Sequence, residues 1–206
     1  MPRNIRLIRA DSLKSMPWKN GGGITRELAI YPPDASLTEF AWRISLADVE
    51  HDGAFSIFPG VNRSIVLLDG KGMRLHWPDG ARHDLQRYQP FAFAGHEALD
   101  CQLFDGPTVD FNLMLRRGKV NGRLVSQHLA EGESRTELLA ESDDFLLVFC
   151  AAGRVELRGE ACGTYTLGRF DAIEIGPGTA QTGQLIGRGP DSVLLLARLQ
   201  LLEPAQ

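Results

Sequence analysis

The chain has 206 residues, 43% of them apolar and 23% charged, with a formal net charge of −4. No basic block interrupts this ordinary globular composition, so the electrostatic footprint of a nucleic-acid binder is missing. No apolar run approaches the roughly 20 residues that span a bilayer, and residues 1–13 carry charges throughout where a signal peptide would have an apolar core.

A cytoplasmic protein with neither nucleic acid nor membrane as partner is expected. The three cysteines, Cys101, Cys150 and Cys162, are widely spaced without a CxxC pair. They read as reduced thiols, with Cys150 as buried filler.

The first predicted element follows the run Met16-Pro17-Trp18-Lys19-Asn20-Gly21-Gly22-Gly23-Ile24-Thr25-Arg26. Glycine lacks a Cβ, so three in a row permit a positive φ and close approach of backbone to another group. Trp18 supplies a flat apolar face; Lys19, Asn20 and Arg26 supply a charge, an amide and a guanidinium. These groups suit a small polar anion. A flexible turn leading into a strand explains the same residues.

Downstream, Phe40 to Ala47 alternates, with Trp42, Ile44 and Leu46 on one face and Arg43, Ser45 and Ala47 on the other. Thr108 to Leu115 does the same, with Asp110, Asn112 and Met114 opposite Phe111, Leu113 and Leu115. Such polar faces ordinarily meet solvent, but in a small barrel they can point into the cavity. There Asp110 would steady Arg43 or Arg63. Phe55 and Phe58 read as barrel core or as apolar pocket wall, with core packing the plainer reading. Arg135 to Ser142 is the best helical candidate, and helix is otherwise scarce.

Apolar runs broken by 22 glycines and 11 prolines predict an all-β protein of many short strands. Shifting the sequence by 82 residues superposes its apolar positions without a gap: Ile65, Val66 and Leu67 on Leu147, Val148 and Phe149, and Phe91 and Phe93 on Ile173 and Ile175. A duplicated β unit follows, with an N-terminal half at 1–118 and a C-terminal half at 119–206.

Gly168-Arg169-Phe170-Asp171-Ala172-Ile173-Glu174-Ile175-Gly176-Pro177-Gly178 resembles the second cupin motif. The resemblance implies a bicupin, two jelly-roll β-barrel halves related by the repeat. Cupins typically hold a transition metal with two His and a Glu from the first motif and a His from the second. Here Ser56 and Phe58 stand near the two His places, Arg63 near the Glu place and Gln181 near the last His place. None of the five histidines forms an HxH pair. No metal or other cofactor is expected. Putting Arg63 where a carboxylate belongs turns a cation site into an anion site, since guanidinium offers a fork of donors to a carboxylate. A surface or salt-bridged Arg63 is the plainer alternative.

The Trp18-Lys19-Asn20-Gly21-Gly22-Gly23 run, Phe40 to Ser45, Gly53 to Ser56, Phe58 to Arg63 and Asp110 to Met114 together resemble the HutD/Ves family. HutD members are associated with bacterial histidine utilisation and thought to govern that pathway. Ves members are linked to cold and stress responses. The resemblance implies a protein without a demonstrated catalytic activity that binds a small carboxylate intermediate such as urocanate or formylglutamate. The expected ligand-binding residues are Trp18, Lys19, Asn20, Arg26, Arg43, Arg63, Asp110 and Asn112. The alternative is a metal-independent enzyme acting on such a metabolite, with Lys19 or Asp110 as its acid or base. A third alternative is an interaction protein, its sheet edges open to pairing with a second copy as a homodimer.

Overall fold

Short apolar runs separated by glycine-rich corners become nineteen strands among the described residues, with one turn of 3-10 helix at Ala10–Ser12. The computed structural model describes residues 5–18, 21–140, 144–159, 163–178 and 181–202. In chain order the first strands are β1 (Ile5–Ile8), β2 (Ser15–Pro17), β3 (Gly23–Tyr31), β4 (Trp42–Val49), β5 (Gly53–Ala54) and β6 (Val61–Asp69). They are followed by β7 (Met73–His76), β8 (Arg82–Asp84), β9 (Phe91–Ala94), β10 (Asp100–Leu103) and β11 (Thr108–Arg116). Next come β12 (Val120–Leu129), β13 (Ser134–Ala140), β14 (Asp144–Ala152) and β15 (Val155–Gly159). The last are β16 (Gly163–Leu167), β17 (Ala172–Ile175), β18 (Gln181–Gly187) and β19 (Ser192–Leu201).

The chain divides into two compact units, Lys14–Val120 and a second made of Met1–Leu13 with Asn121–Gln206. Each is a pair of sheets. The first unit has a six-stranded sheet ordered β2-β3-β4-β11-β6-β9 and a four-stranded sheet ordered β5-β10-β7-β8. The second has a five-stranded sheet ordered β1-β17-β14-β19-β12 and a four-stranded sheet ordered β13-β18-β15-β16. Strand for strand, β4-β11-β6-β9 matches β12-β19-β14-β17, and β5-β10-β7-β8 matches β13-β18-β15-β16. Tyr88 and Phe170, which are 82 residues apart, both hold a positive φ, of 63° and 69°. That backbone state is rare for a bulky side chain. The topology therefore repeats as the sequence implies.

Three expectations need correction. The N-terminal segment was expected with residues 14–118, but β1 pairs with β17 from Ile5↔Ile175 to Ile8↔Ala172. Ile5 and Leu7 pack on the apolar core of the second unit. The expected helix at Arg135–Ser142 is instead strand β13 through Ala140, paired with β18 from Ser134 onward. So short a segment has too few turns to hold a helix alone, and sheet pairing satisfies its backbone. Residues 141–143 lie outside the described residues.

The ungapped repeat also slips. Phe93 and its counterpart Ile175 pair with Arg63 and Leu146 respectively, so the offset in β14 is 83. Arg63 and Leu146 in turn pair with Met114 and Arg198, so the offset in β19 is 84. Ile65 therefore matches Val148, which faces the core. Bulges and loop differences of one or two residues absorb the change.

The two interiors differ in chemistry. In the second unit Leu129, Leu146, Val148, Leu194 and Leu196 form a continuous apolar core. At Leu146, Leu194 and Leu196 the first unit has Arg63, Asp110 and Asn112. Its own apolar core, including Ile65, Leu67, Met73, Leu75 and Phe93, lies beside these residues. At these positions one copy of the fold has apolar core, and the other lines a polar pocket.

Candidate functional site

The pocket is built on three adjacent strands of the six-stranded sheet. Met114 of β11 sits between Arg43 of β4 and Arg63 of β6. Two residues along, Asn112 pairs with Ser45; two further, Asp110 pairs with Ala47. Period-two alternation sends this whole set to one face, while Trp42, Ile44 and Leu46 fill the other. The result is a cavity of about 480 Å³ lined by these polar residues and by Met16, Trp18, Leu37, Phe55 and Phe58.

Arg63 is 6% exposed. Its guanidinium carbon lies 5.1 Å from the centre of the Phe55 ring, 5.7 Å from Phe58 and 4.9 Å from Phe93. Ring quadrupoles attract the cation from these sides. Nη1 donates to the Ser56 carbonyl at 3.3 Å. Nε has no hydrogen-bond partner among the described residues. Burial pulls the guanidinium pKa down to about 10, against the attraction of Asp110, and the second cation Arg43 lowers it further.

Asp110 is 1% exposed, and its Oδ1 also has no partner among the described residues. Desolvation lifts its carboxyl to about 7; Arg63 counteracts this and Asp48 adds to it. The Oδ1 of buried Asn112 is likewise unpartnered. Native interiors seldom leave such groups bare, because each costs about 1–3 kcal/mol. Three in one cavity indicate a place for a polar guest.

The predicted site residues separate into groups. Arg43, Arg63, Asp110, Asn112 and Trp18 all line the pocket. Trp18 forms part of the wall, and its indole N–H donates to Thr25 Oγ1 at 2.7 Å. Arg26 does not join them: it binds Asp48 through two bonds of 2.9 and 2.7 Å. Alternation along β3 and β4 places that pair on the opposite face of the sheet, with Leu46. Lys19 and Asn20 lie outside the described residues.

Asp110 was expected to steady a guanidinium, yet the partner of Arg43 is Glu27, at 2.7 Å. Glu27 was missed in the sequence; its only signal was its place two residues beyond Thr25 on a strand. Phe55 and Phe58 line the cavity against Arg63 and also pack on apolar core residues, so both readings of them hold.

The glycines ahead of β3 have distinct roles. Gly21 has a φ of +69° with open space around its Cβ position. A Cβ on Gly23 would collide with the Asp48 carbonyl and come 3.2 Å from the Trp18 ring. Close approach of β3 to β4 therefore requires glycine there.

Ser56, Phe58 and Arg63, the positions of the missing first-motif ligands, converge on this cavity. The Gln181 side chain lies outside the described residues. At the ligand positions stand a hydroxyl, a phenyl ring and a guanidinium that can only donate, so these residues do not fit the usual cupin metal. Among the described residues no group of three His, Cys, Asp or Glu could hold one. Buried Cys101 and Cys150 have thiols pushed up to about 11 and about 12, chiefly by burial, so both remain protonated at neutral pH. No helix among the described residues is long and apolar enough to cross a membrane.

The chain is similar to several known proteins. A 21.2 kDa protein of the hutC 3' region of Pseudomonas putida is 36% identical over 171 residues, covering 83% of this chain and 86% of the relative. Protein Ves of Cronobacter sakazakii is 40% identical over 129 residues, 60% of this chain and 70% of Ves. The structure of HutD from Pseudomonas fluorescens SBW25 (formate condition) superposes with a TM-score of 0.80 at 30% identity, covering 97% of this chain and 100% of that one. Oxalate decarboxylase from Lactobacillus farciminis, at 7% identity and a TM-score of 0.67 over 97% of this chain and 86% of that chain, shares the cupin fold alone. The HutD family model matches residues 10–190. This chain belongs to the HutD/Ves family.

Proposed function

We propose that the protein is a non-catalytic binder of a small carboxylate, urocanate or formylglutamate, and that it limits histidine utilisation by sensing that compound. The observation that carries this reading is Arg63: a buried guanidinium, walled by three rings, with an unpartnered Nε in a cavity of about 480 Å³. A carboxylate accepting from that guanidinium would satisfy it by a charge-assisted pair, worth more in a partly dry pocket than in water. The apolar walls suit the body of the ligand. The HutD family is linked to histidine utilisation, which supports these two compounds as the first to test.

Isothermal titration with urocanate, formylglutamate and histidine tests the proposal. Saturable binding of one carboxylate, lost in Arg63→Met, is the expected result. No binding of any of the three at millimolar concentration overturns it. Asp110 supports a second reading, because a carboxyl raised to about 7 suits general acid–base work. Conversion of either metabolite by metal-free protein would establish an enzyme.

A further inference from the structure

The charges around the cavity come in two opposed pairs. Arg43 is neutralised by Glu27 at 2.7 Å. Arg63 faces Asp110, the only carboxyl among the described lining residues. With both carboxyls ionised, the four groups sum to zero, and an entering anion would meet a second buried anion competing for Arg63. With Asp110 neutral, they carry one positive charge. The site then has room for one negative charge.

We propose that the pocket takes up a monoanionic carboxylic acid together with one proton from solvent, the carboxylate accepting from Arg63 and the proton residing on Asp110. This rests on the binding function proposed above and narrows it: a singly charged, flat carboxylate such as urocanate is preferred to doubly charged formylglutamate. The bare Oδ1 of Asp110 supports the assignment. As an acid, Asp110 can offer its O–H to the guest; as a carboxylate it can only repel another one. Of the charged groups toward Asp110, Arg63 on β6 draws it to ionise and Asp48 on β4 opposes ionisation. Arg43 on β4 lies beside Arg63 and acts on its charge. The Cys101 thiol on β10 feels the Asp110 charge but is itself un-ionised at neutral pH. Asp110 is thus the group in this set that exchanges a proton near neutrality.

The test is titration calorimetry with urocanate from pH 7 to 8.5, in buffers of differing ionisation enthalpy. For a carboxyl that starts near 7 and must be neutral in the complex, affinity falls about fifteenfold over that interval. Net proton uptake approaches one per ligand at the upper end. Asp110→Asn should remove both the pH dependence and the uptake, and formylglutamate should bind more weakly than urocanate. Should that variant not fold, proton uptake by the wild-type protein alone decides the matter. Urocanate binding without uptake overturns this inference and leaves the binding function standing; no binding of either compound overturns both.

Discussion

Replacing Asp110 by asparagine mimics its protonated form and should remove the pH dependence it imposes on folding. Burial raises this carboxyl from 3.8 to about 7. Between those values the folded chain holds a proton that the unfolded chain has released, so stability falls as pH rises. It is whole below about 4 and its loss is complete above about 7. At about 1.36 kcal/mol per pH unit, the loss is about 4 kcal/mol. The asparagine variant bears none of it, and the attraction of Arg63 for ionised Asp110 is already contained in the value of about 7. Wild type and Asp110→Asn should therefore differ by a constant at pH 4, with the variant gaining steadily to a plateau near pH 8. Urea unfolding followed by tryptophan fluorescence reads the relevant unit, because Trp18, Trp42 and Trp77 all fall within Lys14–Val120. A difference between the proteins that stays flat from pH 4 to 8.5 would refute the buried, protonatable Asp110.

Other substitutions test the surrounding parts. Arg63→Met removes the anchoring fork and should weaken carboxylate binding by at least about a hundredfold in calorimetry. Its stability should shift by no more than about 1 kcal/mol, because three ring contacts are lost while the net cost of the buried charge, about 3 kcal/mol with the attraction of Asp110 already counted, is relieved. Glu27→Gln frees Arg43 and adds a positive charge, so affinity for formylglutamate should rise about tenfold and exceed any gain for urocanate. Gly23→Ala forces β3 from β4 at the Asp48 carbonyl and should cost about 2 kcal/mol in urea unfolding.

Much of the fold was readable because alternation and turn chemistry are local. The 22 glycines and the runs around Leu67 and Val148 marked strands, and their spacing marked the repeat. The register was not readable to the residue. A bulge leaves apolar residues on both sides of it, so the slip that sets Arg63 against Leu146 left no trace in a hydrophobic pattern. The same holds for Ser134–Ala140, whose polar and apolar residues fit about two helical turns or an outer strand equally well.

Within the site, Arg43, Asp110 and Asn112 were visible because each lies on the polar face of a cleanly alternating strand. Which cation served the pocket was not, because pairing depends on neighbours distant in sequence. Arg26 and Arg43 are both strand arginines near the glycine run. Only the register of β3 on β4 gives Asp48 to the first, on the far face, and Glu27 to the second, at the pocket. The aromatic grip on Arg63 likewise draws Phe93 from a strand thirty residues downstream.

A crystal structure of the protein with urocanate shows whether Arg63 receives a carboxylate in the first unit. The carboxylate should lie within hydrogen-bonding distance of the Arg63 guanidinium, with one oxygen beside Asp110 and the ring against the wall formed by Trp18 and Phe58. Urocanate bound elsewhere, with the Arg63 pocket holding only water, would contradict this role of Arg63.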